Sequence, residues 1–199
     1  MLEWQVSVMA TNNARPAKRP GSEATTMLSA PAPSADIRAA FRAAMRRYAA
    51  TVTIVTASDG RRRHGMTATA VTSLSLDPPS LIVCVNRKTL LHDILLSARR
   101  FCVNVLSREQ ADLSAAFGGA TAPEQRFDLG TWTETTDGLS VLADAQAHLF
   151  CRKVALIPFG THSIVVGEAE EIGMREAAEP LLYQDATYCV SVPGPQVAA

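Results

Sequence analysis

Three places in the chain bring together residue types that could do chemistry. The first is HGMTATAVTSLSLDPPS, residues 64–80. Read as a strand with a period of two, one face carries Thr67, Thr69, Val71, Ser73 and Ser75, and the other carries Met66, Ala68, Ala70, Thr72, Leu74 and Leu76. The second is an ordinary core face; the first is a row of hydroxyls. Small side chains let a flat ligand approach the backbone closely, and N–H, C=O and hydroxyl groups can bond the polar edge of a heteroaromatic ring. A solvent-facing strand has the same composition, so the row by itself leaves both readings open.

The second place is Asn86-Arg87-Lys88-Thr89, between the apolar run SLIVCVN (80–86) and the helical pattern LLHDILLSA (90–98). A helix N-terminus offers free N–H groups and a partial positive charge. A lysine, an arginine and a hydroxyl there make a phosphate cradle, although a cationic turn can equally be only solvated. Beside a ring-sized shelf, the turn suggests a ligand with a flat head and a phosphate tail. The third place is His162, in GTHSIVVG. From the residues alone, a strand-start histidine with one satisfied hydrogen bond accounts for it. Structural readings suffice for His64, His92 and His148, and no catalytic triad is visible.

The whole chain bounds these possibilities. At 199 residues and 47% hydrophobic composition, it is long enough for one domain with a real core. Lysine plus arginine and aspartate plus glutamate both number 19, so no global field points to nucleic acid or to cation storage. No apolar stretch approaches the roughly 20 residues that span a bilayer. Cys84, Cys102, Cys151 and Cys189 lack C-x-x-C spacing and zinc-ligand spacing, and read as free thiols in a reduced cytoplasmic protein. Residues 1–35, rich in Pro, Ala, Ser and Thr, read as a mobile tail without a secretory h-region. A transit peptide, or a start at Met9 or Met27, stays open. Residues 36–192 form the domain, and 193–199 a short C-terminal tail.

The elements that must position these residues follow from periodicity. A helix from Ser34 or Asp36 carries Ile37, Phe41, Met45 and Tyr48 on one stripe, with arginines on a solvated face. VTIVTA (52–57) is a strand, SDGRRR (58–63) a turn, and SLIVCVN a strand buried on both faces. FCVNVLS (101–107) is a strand. REQADLSAAF (108–117) is a helix with Leu113 and Phe117 inward, started by Ser107 and Gln110 at capping-box spacing. Residues 118–138 read as a long loop, and 147–160, 162–174 and 187–192 as strands. Strands outnumber helices and do not alternate with them, which predicts a mostly antiparallel barrel with a few helices packed outside.

With those residues in place, the chain from Phe41 to Val192 resembles the flavin reductase family of two-component monooxygenases, small reductases with the FMN-binding split-barrel fold. VTIVTA, GMTATAVTSLSLDPPSLIVCVN, FCVNVLS, GTHSIVVGEAEEI and PLLYQDATY occur in family order. The resemblance implies a mostly β, antiparallel FMN-binding split β-barrel with peripheral helices, assembled as a homodimer with FMN or FAD in a groove. It implies that Thr67, Ala68, Thr69, Ala70 and Val71 line the flavin ring, with Thr72 and Ser73 close behind. It further implies phosphate contacts from Asn86, Lys88, Thr89 and Leu90, and cofactor neighbours at Phe117 and Tyr183. Tyr188 completes a late tyrosine pair, and Arg126-Phe127 matches a loop near the active site. His162 matches the histidine of a G-D-H motif that meets the nicotinamide nucleotide, with Thr161 here in place of the acid. The implied activity is an NAD(P)H:flavin oxidoreductase using NADH or NADPH and handing reduced flavin to a partner monooxygenase. Arg61, Arg62 and Arg63 are candidates for a 2′-phosphate site. The alternatives are a tight flavoprotein reducing another acceptor, and a flavin-binding module without turnover.

Overall fold

The computed structural model describes residues 34–192 and 194. The expected tail over 1–35 therefore lies, apart from Ser34 and Ala35, outside the described residues, as does the segment 193–199 apart from Gly194. Helix α1 (Ala35–Met45) leads to β1 (Ala50–Thr51), β2 (Thr53–Ser58), β3 (Arg63–Ala68), β4 (Val71–Leu76) and β5 (Pro79–Asn86). Helix α2 (Leu90–Ser97), β6 (Arg100–Val105) and the short α3 (Ala111–Ala115) follow. Then come β7 (Trp132–Glu134), β8 (Ser140–Leu142), the long hairpin β9 (Ala147–Phe159) and β10 (His162–Met174), and a last hairpin, β11 (Leu181–Gln184) and β12 (Thr187–Val190). No helix among the described residues is long and apolar enough to cross a membrane.

The main sheet has seven strands in the order β3-β2-β6-β9-β10-β5-β4, every pairing antiparallel. Its two edge strands, β3 and β4, are consecutive in the chain and joined only by Thr69 and Ala70. From Ala68 to Val71 the chain can reach about 11 Å. A flat sheet of this order would hold its edges about 29 Å apart. The sheet must therefore curl until its edges meet, and it does so without a ladder between β3 and β4. That is a split barrel, as the resemblance implied.

The chain of small residues is thus two strands, not one. Met66 and Ala68 in β3 pack into the barrel core, but so does Val71 in β4. The inward parity reverses across Thr69–Ala70, so the predicted hydroxyl face does not exist as a single surface. Ala70 and Thr72, assigned to the core by the period-two reading, are exposed. So are Leu74 and Leu76, the latter at 89%, beyond a register shift between Ser73 and Ser75.

Inside the barrel, Val55, Val83, Val85, Phe101, Val103 and Val165 meet Leu91, Ile94 and Leu95 of α2. A second cluster lies outside β2, where Val52 and Ile54 meet Leu106, Leu113, Phe117, Leu142 and Leu181. It is β2, then, that is buried on both faces. In β5 burial alternates, with Leu81, Val83 and Val85 inward and Ile82 and Cys84 only half-buried, which corrects the reading of that run. The apolar stripe of α1 is also uncovered: Phe41 is 66% exposed and no residue of the helix is buried, although Ser34 caps it as expected. The segment expected as a long loop is ordered. It holds a π-helical turn at Ala116–Ala120, a 3₁₀ helix at Pro123–Asp128 and β7, and its Phe127 and Trp132 stack around Phe117. Only half of the capping box forms, with the Ser107 N–H donating to Gln110 Oε1 at 2.9 Å, and the helix starts later than expected.

Gly65 shows how tightly this segment lies on β3. A Cβ there would sit 2.5 Å from the Phe117 ring. Arg126, also buried, donates from its guanidinium to the Gly65 carbonyl (3.3 Å) and from Nε to the Thr121 carbonyl (3.0 Å). All four cysteines are free; burial holds the Cys102 thiol far above its usual range and pushes Cys151 up to about 12.

His64 is buried in β3, and burial lowers its pKa; the nearby Arg126 cation adds to the shift and Glu124 opposes it. Below about pH 6.5 the unfolded chain therefore binds more protons at this site than the folded one. The contribution of His64 is whole above that pH and is lost as pH falls through the lower folded value. The melting temperature should fall between pH 7.5 and 5.5, and His64→Gln should flatten that slope; an unchanged slope in the variant would contradict the assignment.

Candidate functional site

Three segments far apart in sequence meet at one end of the strands β4, β5 and β10. In the β5–β10 ladder, His162 lies opposite Asn86 and Ile164 opposite Cys84. The Arg87 N–H donates to the Thr161 carbonyl at 3.0 Å, stitching the turn after β5 to the turn before β10. On the other side of β5, the Cys84 N–H donates to the Ala70 carbonyl at 3.0 Å. Ala70, Asn86 and His162 therefore fall within two residues of one another along neighbouring strands, about 7 Å along the chain direction and about 5 Å per strand across it.

Local chemistry shapes the turn. Asn86 Oδ1 accepts from the Lys88 N–H at 3.0 Å, and Thr89 Oγ1 donates to the Asn86 carbonyl at 2.8 Å. Thr89 is the N-cap of α2, its hydroxyl accepting from the His92 N–H at 3.3 Å. This closes the loop into the first turn of an eight-residue helix. Arg87 and Lys88 stay exposed beside the positive end of that helix, as an anion site requires. Leu90 is exposed at the helix start.

Directly opposed residues in an antiparallel pair share a face. Since Val83 and Val165 point inward, Ile82, Cys84 and Asn86 share the outer face with Val166, Ile164 and His162. Ile157 and Phe159 of β9 extend it, opposite Ile164 and His162. The result is a half-exposed apolar shelf ending at a cationic turn and an exposed imidazole. His162 is oriented from the preceding residue: Thr161 Oγ1 lies 2.9 Å from its Nδ1, so the hydroxyl stands where the resemblance led us to look for an acid, and Nε2 is not used by this contact.

The remaining candidates lie across the Thr69–Ala70 linker. Thr67 donates its hydroxyl to the Ser114 carbonyl at 2.7 Å, and the Tyr188 hydroxyl donates to Ser114 Oγ at 3.0 Å. Tyr183 and Tyr188 stack edge to face at 5.4 Å. With Val52, Thr69, Ala115 and Gly118 they line a cleft of about 360 Å³. A larger apolar cleft, about 540 Å³, opens on the β4 side and includes Val71, Thr72 and Ser73. The split between β3 and β4 thus stands between two hollows, with Thr69 and Ala70 exposed at the divide. Ala68 is buried in the barrel, and Phe117, 1% exposed, packs against β3 at Gly65.

Sequence reasoning missed Ser114, Gly118 and the Ile157–Phe159 edge. The Gly118-Gly119 pair was the available sign of an unusual turn; Gly119 takes φ +121° inside the π-helical segment. The arginine turn lies at the opposite end of β3 from the Thr69–Ala70 linker. Arg62 pairs with Asp59 at 2.8 Å, holding that carboxyl near 2 chiefly through the Arg62 backbone N–H, and Arg63 pairs with Glu134 over the Phe127 ring. Among the described residues, no cluster of His, Cys, Asp or Glu is placed to hold a metal.

The donor set fits a flavin nucleotide: a cationic, N–H-rich turn for phosphate, exposed backbone and small side chains at the linker, and a flat apolar shelf between them. Comparison with known proteins agrees. Residues 45–191 match the family model described as the flavin reductase like domain. The reductase component of the FADH(2)-dependent resorcinol hydroxylase of Rhizobium sp. (strain MTP-10005) is 47% identical over 155 residues, 77% of this chain and 87% of that protein. An FMN reductase (NADH), RutF, of Variovorax paradoxus (strain S110) is 39% identical over 151 residues, 76% and 84% of the two chains. The NADH:FAD oxidoreductase SgcE6 of Streptomyces globisporus C-1027, solved with NAD and FAD fragments, superposes with a TM-score of 0.74 at 28% identity, covering 84% of this chain and all of that one. A split barrel built around this site, with a family match over most of its length, places the chain in the flavin reductase-like domain family.

Proposed function

We propose that the protein is an NAD(P)H-dependent flavin reductase that passes a hydride from the nicotinamide to FMN or FAD and supplies the reduced flavin to a partner monooxygenase. The observation that carries this reading is the ladder joining His162 to Asn86, which sets an oriented imidazole beside a phosphate-type turn at the end of one apolar shelf. Hydride transfer is chemistry that the nicotinamide and flavin rings supply when bound. The chain's own residues bind and orient. Arg87, Lys88 and the first turn of α2 hold phosphate; Thr69, Ala70 and the neighbouring backbone of β3 and β4 face the ring edge; His162 meets the nicotinamide side. Proximity and alignment of two rings are the main contributions such a site can make.

The names of the relatives support each half of the reading, one being a hydroxylase's reductase component and another an NADH-dependent FMN reductase. The uncovered apolar stripe of α1 and the open apolar cleft beside β4 support a homodimer, in which a second copy would cover them. Four free thiols support a reducing, cytoplasmic setting.

Two substitutions test the assignment. Lys88→Ala should weaken FMN about tenfold and riboflavin, which lacks the phosphate, by less than twofold, measured by fluorescence titration. Equal losses would remove the phosphate role from this turn. His162→Ala should raise the apparent KM for NADH severalfold while leaving that for flavin nearly unchanged, and unaltered nicotinamide kinetics would take His162 out of the site.

A further inference from the structure

Beneath the turn 86–89 lies a buried polar contact outside the proposed ligand contacts. His92, in the first turn of α2, is 6% exposed, and its Nε2 lies 2.9 Å from Oγ of Ser163, which is fully buried. Ser163 follows His162 directly in β10 and sits opposite Val85. The surroundings are apolar: Leu91, Ile94 and Leu95 of the same helix, and Val85 and Val165 of the strands. Packing alone would be served by a leucine and an alanine. A buried polar pair costs desolvation of both partners, and among the described residues His92 Nδ1 has no hydrogen-bond partner, with Asp93 Oδ1 4.0 Å away. What the pair supplies is direction. A hydrogen bond fixes the helix against the strand at one point and in one orientation, which apolar contact does not.

His92 also holds the turn itself. Its backbone N–H donates to both the hydroxyl (3.3 Å) and the carbonyl (3.1 Å) of Thr89. One residue therefore ties the N-cap of α2 through its backbone and the start of β10 through its ring. At the far end, Lys153 Nζ donates to the carbonyls of Leu95 (2.5 Å) and Leu96 (3.2 Å), so α2 is anchored at both termini.

We propose that His92 and Ser163 are positioning residues, which set the phosphate-binding turn 86–89 at its working distance and angle from the strand that carries His162. This rests on the flavin-reductase reading. Neither residue touches the ligands; each acts through the turn.

The experiment measures FMN and riboflavin affinity and melting temperature in His92→Leu, His92→Gln and Ser163→Ala. Glutamine can place an amide atom near the position of the imidazole Nε2 and so retain the bond. Ser163→Ala removes the bond with little change of volume, and covers the case in which His92→Leu does not fold. We expect His92→Leu and Ser163→Ala to weaken FMN about five- to tenfold with riboflavin within twofold, and His92→Gln to recover most of the loss. Added to Lys88→Ala, the Ser163→Ala change should cost little more for FMN, because it acts through the same turn. Equal losses for both flavins, or a lower melting temperature with unchanged flavin affinity, would overturn the positioning role. If Lys88→Ala alone fails to separate FMN from riboflavin, the phosphate turn itself is wrong and the proposal falls with it. If Lys88→Ala separates them and the His92 and Ser163 variants do not, only the positioning role is lost.

Discussion

The constraint on which this structure turns is the length of one linker. Thr69 and Ala70 are all that joins the two edges of a seven-stranded sheet, and two residues cannot cross a flat one. The sheet has to curl, the barrel has to close around Val55, Val83, Phe101 and Val165, and the closure stays unladdered because the chain itself passes through the gap. The same linker is where β backbone lies exposed with small side chains around it. A large residue at 69 or 70 would fill the space that the proposed function gives to the flavin ring edge. The fold and the site are thus two consequences of one short connection.

From that closure the rest of the site follows by backbone pairing. Once β4 lies beside β5, the Ala70 carbonyl receives the Cys84 N–H, and two residues later β5 ends in the Asn86 turn. Once β10 pairs with β5, His162 has no choice but to face Asn86. Side chains refine this frame: Thr89 caps α2, Asn86 braces the Lys88 amide, and Thr161 orients the imidazole. Few such bonds are needed, because the ladder already orders the strands.

The sequence makes local features legible. The N-terminus of α2 was readable at Thr89, since a cap followed by an apolar helical period is a signal contained within a few residues. The same holds for β10 starting at His162. What depended on the closed sheet was not readable. The parity reversal at Thr69–Ala70 has no local mark, so a period of two carried straight through it put Ala70, Leu74 and Leu76 in a core they do not enter. β5 looked like a fully buried strand by composition, yet its Ile82 and Cys84 form an outer shelf; β2, of similar composition, is the strand covered on both sides. Composition reports that a face is apolar, not whether the chain supplies something to cover it. α1 is the same case at helical period. Phe117 could be placed inward from its helix, but only the close approach to Gly65 shows that it supports the strand from behind.

The decisive experiment is NADH oxidation by the purified protein in air with FMN, with FAD and with no added flavin. A flavin reductase of this kind should be colourless as purified, with NADH oxidation rising saturably with one of the two flavins, as expected where the flavin enters oxidised and leaves reduced. NADH oxidation that stays flat whichever flavin is added, in a protein that still binds flavin, would contradict it.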